Sequence, residues 1–434
     1  MEAVLFSLTL ISLFFLNGHC ALASGLLFCL VLTLRAGRRA RPGASGFSAV
    51  FILSLCSVLL QTTASCGFAR EDIRAVYVRV EQDSVSGLWS SRRLTASLLE
   101  CFSHSAEASS ARGMINVTYP EGSSLYAGDL VLFYGSFNSY GFASTGYRIV
   151  ARGSGNSARR SLLEKLTKAL TEEGGEEAEL SLMLILGIGG TGQSPLVELA
   201  RKSGTSHVLA LSGMHLSLFS MILKLVFSPV LGSRRARLLS LGLIAVYVFL
   251  IGPKPSILRA FILSSVFFSA PSLRPEQALY ITFLIQSLIF PHTVSSLASV
   301  YSYLSLAGIM WLSPLLREHL DRLVLLPRPA AVSLCSSAAA ILFSSPLSWL
   351  VFGSYQMSAL IFSSPVSLLV CIYMIISLVP PASVLKTPVL ALIRFLMRLG
   401  AAFPEAETPL AWLVLLSLVL LVIAISSKLA SCGR

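Results

Sequence analysis

Long apolar runs separated by short charged breaks fill most of this chain, and one internal stretch switches to an alternating, strand-like pattern. Residues 3–34 are apolar except at Asn17-Gly18-His19, which predicts a tight hairpin of two short spans. A secretory signal is the rival reading, but no basic segment precedes the first run and a second follows at once. Arg35, Arg38, Arg39 and Arg41 form a basic loop, and Phe47 to Ala64 makes a third span. From residue 207 onward, apolar runs recur at 207–230, 238–252, 256–270, 277–290, 294–312, 331–351, 357–379, 388–402 and 410–425. Several approach the ~20 residues that cross a bilayer, and the shorter ones suit re-entrant or interfacial segments.

Between these blocks, Ile73–Val80, Arg93–Phe102, Gly113–Tyr119, Leu130–Phe137 and Gly146–Arg152 alternate as strands. Turn formers separate them: Asp83 to Gly87, then Pro120-Glu-Gly122, then Gly141. Five short strands suit a small barrel such as an OB-fold. Ser161 to Leu170 then places Leu162, Leu163, Leu166 and Leu170 on one helical face. That helix either lies at the membrane surface or packs on the barrel. Ser194-Pro195 reads as an N-cap with proline at the first helical position, and Gly204 stops the helix after Lys202.

The pattern therefore predicts a polytopic α-helical membrane protein of about 10–12 transmembrane helices with a small extracytoplasmic all-β OB-like domain. The expected division is 1–66 for the N-terminal spans, 67–156 for the barrel, 157–206 for amphipathic or interfacial helices with a Gly-rich loop, and 207–434 for a transmembrane channel domain. Composition agrees: 54% of the 434 residues are hydrophobic and only 12% charged, about half the charged share of soluble domains. The formal charge of +12 invites a nucleic-acid reading, yet membrane proteins gather Arg and Lys in cytoplasmic loops, so charge alone does not identify a substrate. The segment from Gly67 to Leu180 carries 12 basic and 14 acidic residues. A barrel that grips a polyanion strongly has a basic groove, so ligand binding and a structural role both stay open for it.

Candidate chemistry is sparse. No C-x-x-C and no Cys/His grouping at metal-ligand spacing occurs among the eight cysteines. Cys66 and Cys101 fall at or within the barrel segment; if it lies outside the cytoplasm, its compartment permits a disulfide between them. Gly187-Ile-Gly-Gly-Thr-Gly192 matches a dinucleotide fingerprint by letter, but position 212 is serine and no βαβ pattern surrounds it. No Walker-type loop is present either, so neither a nucleotide cofactor nor any other cofactor is expected. The polar cluster that stands out is His207-Val-Leu-Ala-Leu-Ser-Gly-Met-His215, placed at the head of a membrane run. Ionisable groups there either glue helices together or line a path. His207 and His215 lie about 80° apart on an ideal helix and share a face only if Ser212-Gly213 distorts it. Arg259 is open to the same two readings, holding backbone carbonyls or touching a phosphate.

That stretch resembles the signature of the ComEC competence proteins, H-L-L-A-hydrophobic-S-G-hydrophobic-H. Gly252-Pro-Lys-Pro-Ser-Ile-Leu-Arg-Ala260 is similar to the family's second landmark, and Tyr301-Ser-Tyr-Leu-Ser-Leu-Ala-Gly308 to its third, with Tyr303 standing at a usually glutamine-like position. The resemblance implies a channel, not an enzyme, that passes single-stranded DNA across the bacterial cytoplasmic (inner) membrane during natural transformation. It implies a barrel on the outer face and a path lined by His207, Ser212, Gly213, His215, Ser256 and Arg259, with no catalytic residue and no metal. Expected partners are single-stranded DNA, the lipid bilayer, a separate nuclease, a DNA receptor, a helicase or other ATPase, and further copies of the chain in a homo-oligomer. Many relatives carry a C-terminal nuclease with an H-x-H-x-D-H cluster, which the six histidines here do not form. The alternatives are a non-transporting, degenerate relative that binds a ligand or partner, and a transporter of another polar substrate.

Overall fold

A computed structural model describes residues 51–406, apart from 53–55, 57, 59–63, 82, 84–90, 106, 121–123, 139–140, 154–156, 173, 189–193, 210–212, 253, 295, 324–326 and 379–383. The spans expected within 3–34 and at 410–425, and most of the one at 47–64, lie outside the described residues.

Six strands form the β-domain: β1 (Ile73–Val80), β2 (Ser91–Ser103), β3 (Ala108–Ser110), β4 (Met114–Pro120), β5 (Leu130–Asn138) and β6 (Gly141–Ala151). Their order is β1-β5-β6-β4-β2-β3, and β1 also pairs with β2, so five strands close into a barrel with β3 as an appendage. All neighbours are antiparallel except β4 and β6. This arrangement is OB-like. The five expected strands are all present; Gly141, expected in a turn, instead begins β6, and β3 was not foreseen. Alternation explains the closure. Along β1, Ile73, Val76, Val78 and Val80 face a core that also holds Tyr119, Phe133 and Phe142. Each such fully buried apolar side chain contributes about 1.5–3 kcal/mol.

The helices follow in order. α1 (Ser157–Thr171) leads to α2 (Gly175–Ser181), which continues as a π-helical turn through Leu182–Leu186. Then come α3 (Pro195–Lys202), α4 (Ser206–Leu209), α5 (Gly213–Leu231), α6 (Ser233–Ile251), α7 (Pro255–Ser269) and α8 (Pro275–Ile289). A short α9 (Pro291–Val294) precedes α10 (Leu297–Trp311), α11 (Ser313–Leu323), α12 (Arg328–Phe352), α13 (Ala359–Leu378) and α14 (Lys386–Ala401). Among the described residues, four stretches are long and apolar enough to cross a membrane: Gly213–Leu231, Leu297–Leu320, Ala331–Phe352 and Ala359–Leu378. α7 and α8, at 15 residues, rise only about 22 Å. Exposed Leu225, Val230, Val246 and Phe249 would be a liability in water, but a bilayer is their solvent.

Lipid gives helices no hydrophobic reason to associate, so close packing must hold them. Gly308 on α10 shows how: a Cβ there would fall on the Ala339 carbonyl of α12. α1 joins the barrel to this helical body. Its Leu163, with Leu166 and Leu170, shares one core cluster with Tyr126 of the barrel and Ile251 and Leu258 of the membrane helices. Leu162, expected on the same face, is instead exposed, because the buried stripe runs through Arg159, Leu163 and Thr167.

Candidate functional site

The expected span at 207–230 is two helices. α4 ends at Leu209 and α5 starts at Gly213; Ser212 lies outside the described residues. The break separates the two histidines: His207 is exposed, whereas His215, on the first turn of α5, is fully buried. The signature therefore does not set both on one face. Its glycine makes the contact that matters. A Cβ on Gly213 would stand 3.0 Å from Nη2 of Arg259 and 3.1 Å from Cβ of Ala260. A methyl there would need the guanidinium or Ala260 to give by a few tenths of an ångström, so glycine suits the close approach of α5 to α7.

Arg259 is 8% exposed. Its Nε has no hydrogen-bond partner, and no carboxylate among the described residues pairs with it. Its guanidinium carbon lies 6.0 Å from the centroid of the Tyr303 ring. The Tyr303 hydroxyl is turned elsewhere. It donates to Gln286 Oε1 at 2.9 Å; Gln286 Nε2 donates to Thr293 Oγ1 at 3.0 Å, and that hydroxyl donates to the Phe290 carbonyl at 2.8 Å. Tyr303 thus fills the glutamine-like position of the third landmark with a phenol, and the amide comes from Gln286 on α8. Gln286 is absent from the expected path residues, although an amide deep inside the apolar run 277–290 is a visible signal for it.

The second landmark forms the turn into α7. Gly252 adopts φ +84°, a conformation that favours glycine, and a Cβ there would meet Arg159 Nη2 at 3.2 Å and Asp83 Oδ2 at 3.4 Å. Arg159 of α1 forks onto Asp83 of the β1–β2 loop and donates from Nε to the Phe249 carbonyl of α6 at 2.8 Å. Asp83 also accepts from the Ala127 amide at 2.8 Å. Lys254 donates to the Gly187 carbonyl. Burial, against the partial compensation of nearby Asp83, lowers its pKa from 10.5 to about 8. Ser256 is half-buried as the second residue of α7. A second polar tie lies alongside: Asp129 takes ion pairs from Arg160 at 2.9 Å and Arg152 at 3.0 Å, and Tyr126 donates to Glu164 at 2.9 Å. Asp83 and Arg159 are 76 positions apart, and no local pattern marks them as partners.

Beside this joint, a cavity of about 740 Å³ opens between α6, α7 and α8, lined by Phe249, Leu258, Phe261, Ile262, Ile285 and Phe290 among others. Its one cation, Arg159, is already paired with Asp83, so the cavity suits hydrocarbon and not a polyanion. Cys66 and Cys101 come together as two thiols: Cys66 packs on the barrel core, and its hydrogen bond adds to burial in pushing the buried Cys101 thiol upward. The bridge between Ser65 and Arg112, with both backbone hydrogen bonds at 2.9–3.0 Å, holds Cys66 there. The Gly-rich loop is described only at Gly187 and Ile188, while Ser194 caps α3 as expected, accepting from the Val197 amide at 3.4 Å.

Fold and site together define a polytopic membrane protein whose OB-like barrel is bolted to a helical body containing a buried arginine with no carboxylate partner among the described residues. Residues 184–431, more than half of the chain, match the competence protein family. The chain belongs to that family, in its ComEC type, and its role at the family level is in DNA uptake. No curated protein and no solved structure matches it.

Proposed function

We propose that this chain conducts single-stranded DNA across the bacterial cytoplasmic membrane during natural transformation, acting as a channel and not as an enzyme. The observation that carries the reading is the position of Arg259, a buried cation without a carboxylate among the described residues, against the glycine of the family signature. A polyanion gains from such a group, whereas a neutral solute does not. Gly213, His215, Ser256 and Arg259 belong to the path in this reading, together with Ser212; His207 stands at its mouth. The barrel, nearly neutral and tied down through Asp83 and Asp129, acts as an outer-face platform that positions α7. Force and strand degradation come from partners, an ATPase or the membrane potential and a separate nuclease, after a receptor has delivered the DNA.

Deleting the gene in its own bacterium and measuring transformation tests this directly: uptake is expected to fall to background, and normal uptake would sink the reading. Arg259→Ala is expected to abolish uptake at normal protein abundance, whereas lost abundance would mark a structural arginine. Cysteines introduced at exposed sites between residues 70 and 152 are expected to react with impermeant reagents from outside the cell; protection would refute the orientation.

A further inference from the structure

We infer that the cavity between α6, α7 and α8 is a lipid site that holds the two acyl chains of one membrane phospholipid. Its walls are single helix faces. Leu258, Ile262, Ser265 and Ser269 follow one another at three or four positions, so one side of α7 lines the space from its first turn to its last. Ile281, Ile285 and Ile289 do the same on α8 at steps of four. The space is therefore a slot that follows α7 for roughly 20 Å and reaches Arg159 and Ala127 at the barrel end. Two of its lining residues, Phe249 on α6 and Ile289 on α8, are 62% and 60% exposed, so apolar side chains flank an opening toward the surrounding lipid.

Dimensions and chemistry together select the occupant. A volume of about 740 Å³ spread over roughly 20 Å leaves a section of roughly 37 Å². An α-helix with its side chains is about 10–12 Å across and needs at least twice that section, so neither another span of this chain nor a helix of a second copy fits. Hydrocarbon chains whose carbons touch at about 4 Å take about half of it each, so two lie side by side. The length agrees, since one leaflet with its headgroups is about 20 Å deep, half of a whole bilayer. A polar occupant finds nothing to hold. Ser265 donates to the Phe261 carbonyl of its own helix at 2.8 Å, and Arg159 is committed to Asp83 and to the Phe249 carbonyl. Left empty, the lining would forfeit its contacts on one side, and water there would lack the polar partners it needs. Acyl chains satisfy the walls and also keep water from the Arg159–Asp83 pair, whose attraction is stronger in a dry setting. The lipid thus forms a structural part of the joint between barrel and α7, whatever the protein conducts.

The test reconstitutes the full chain in nanodiscs of phosphatidylethanolamine and phosphatidylglycerol, with a trace of phospholipid that carries a photoactivatable diazirine midway along one acyl chain. After illumination, labelled residues are mapped by mass spectrometry. Ile262 and Val266 line the slot and are 7% and 8% exposed, whereas Leu225 of α5 is 73% exposed and reports ordinary lipid contact. Wild-type protein is expected to take label at all three. Ser265→Trp fills the slot midway, so label at Ile262 and Val266 should be lost while Leu225 keeps its own. Label confined to exposed positions in wild type overturns the site, and so does unchanged slot labelling in a folded Ser265→Trp. Should Ser265→Trp not accumulate, Ala245→Phe fills the slot from the α6 side and is read in the same way. Ile262→Cys identifies the rivals. A disulfide from it to a cysteine placed within residues 3–34, or to a second chain, would overturn the lipid in favour of another span of this chain or another copy.

Discussion

Two glycines inside membrane-region helices, Gly308 and Gly242, are expected to respond oppositely to the same change. Alanine is favoured over glycine within a helix by about 1 kcal/mol, so propensity alone predicts that both Gly→Ala variants gain. On α6, Gly242 is exposed and a methyl added there would meet no atom within 4 Å, so that gain should appear undiminished. On α10 the new methyl would overlap the Ala339 carbonyl oxygen, with the carbonyl carbon at 3.0 Å and Phe343 Cβ at 3.1 Å. Backbone cannot rotate away as a flexible side chain can. Restoring ordinary carbon–carbon separation requires α10 and α12 to part by roughly 0.5–1 Å.

A gap of that size forfeits about a quarter to a half of the dispersion energy across it, or some 2 kcal/mol for one leucine's worth of contacts. Strain in the side chains that resist the shift adds about 1–3 kcal/mol. Against the propensity gain, the net expectation for Gly308→Ala is a loss of about 2–4 kcal/mol. Equilibrium unfolding of the full chain in mixed detergent micelles, followed by helical signal, measures both variants against the parent. A Gly308→Ala protein as stable as Gly242→Ala would refute the claim that α10 and α12 are held at backbone contact.

Asp83→Asn should destabilise the joint between barrel and helices by about 3–5 kcal/mol, because it strands Arg159 in a buried place. Adding Arg159→Gln should recover part of that loss, measured as protease cleavage within the Gly/Ser/Asn-rich stretch 153–157 that follows β6; equal loss in single and double variants would show that the two do not act together. Glu179 is buried on α2 with Oε1 unbonded, and burial raises its pKa above the usual 4.5, with Glu176 adding and the Ser194 hydroxyl opposing. A carboxyl whose folded value is raised contributes stability fully below about pH 4.5 and loses it as pH rises through the folded value. Glu179→Gln should therefore match wild type in acid and exceed it at neutral pH in thermal unfolding; a constant difference across that window would count against it. Cys66 and Cys101 are free thiols in the structure, so each should take a label after denaturation without reductant, read by mass; two labels gained only after reduction would show instead the bond that an outer-face compartment permits.

The barrel was legible because alternation is a local signal: β1 runs over Ile73–Val80 as its side-chain pattern dictates, and Ser194-Pro195 starts α3 where capping chemistry requires. The helix break after Leu209 was also foreshadowed by Ser212-Gly213, since a glycine before polar residues weakens a helix in lipid. What stayed hidden depends on distance along the chain. Asp83 reads as one more turn former, and Arg159 as one basic residue of an amphipathic helix. Nothing local told that a left-handed glycine at 252 would bring both to the head of α7. The symmetry suggested by two histidines eight residues apart misled for a related reason, since spacing counts only within one continuous helix, and here there are two.

These long-range contacts converge on one element. Gly252 and Lys254, which meet the barrel's Asp83, α1's Arg159 and the Gly187 carbonyl, immediately precede the first turn of α7. Arg259 sits five positions after Lys254 on that same helix, within about one and a half turns. Over so short a length a helix moves as a rigid rod, so any shift of the barrel that pulls on Gly252 must also shift Arg259 against Gly213. The tolerance there is small, since the guanidinium and the tip of α5 are already at contact distance. The barrel therefore bears on Arg259 through geometry and without touching it. Asp83→Asn should reduce uptake even in cells where suppressing proteolysis restores normal abundance, whereas full uptake at that abundance would show that the barrel and the buried arginine are independent.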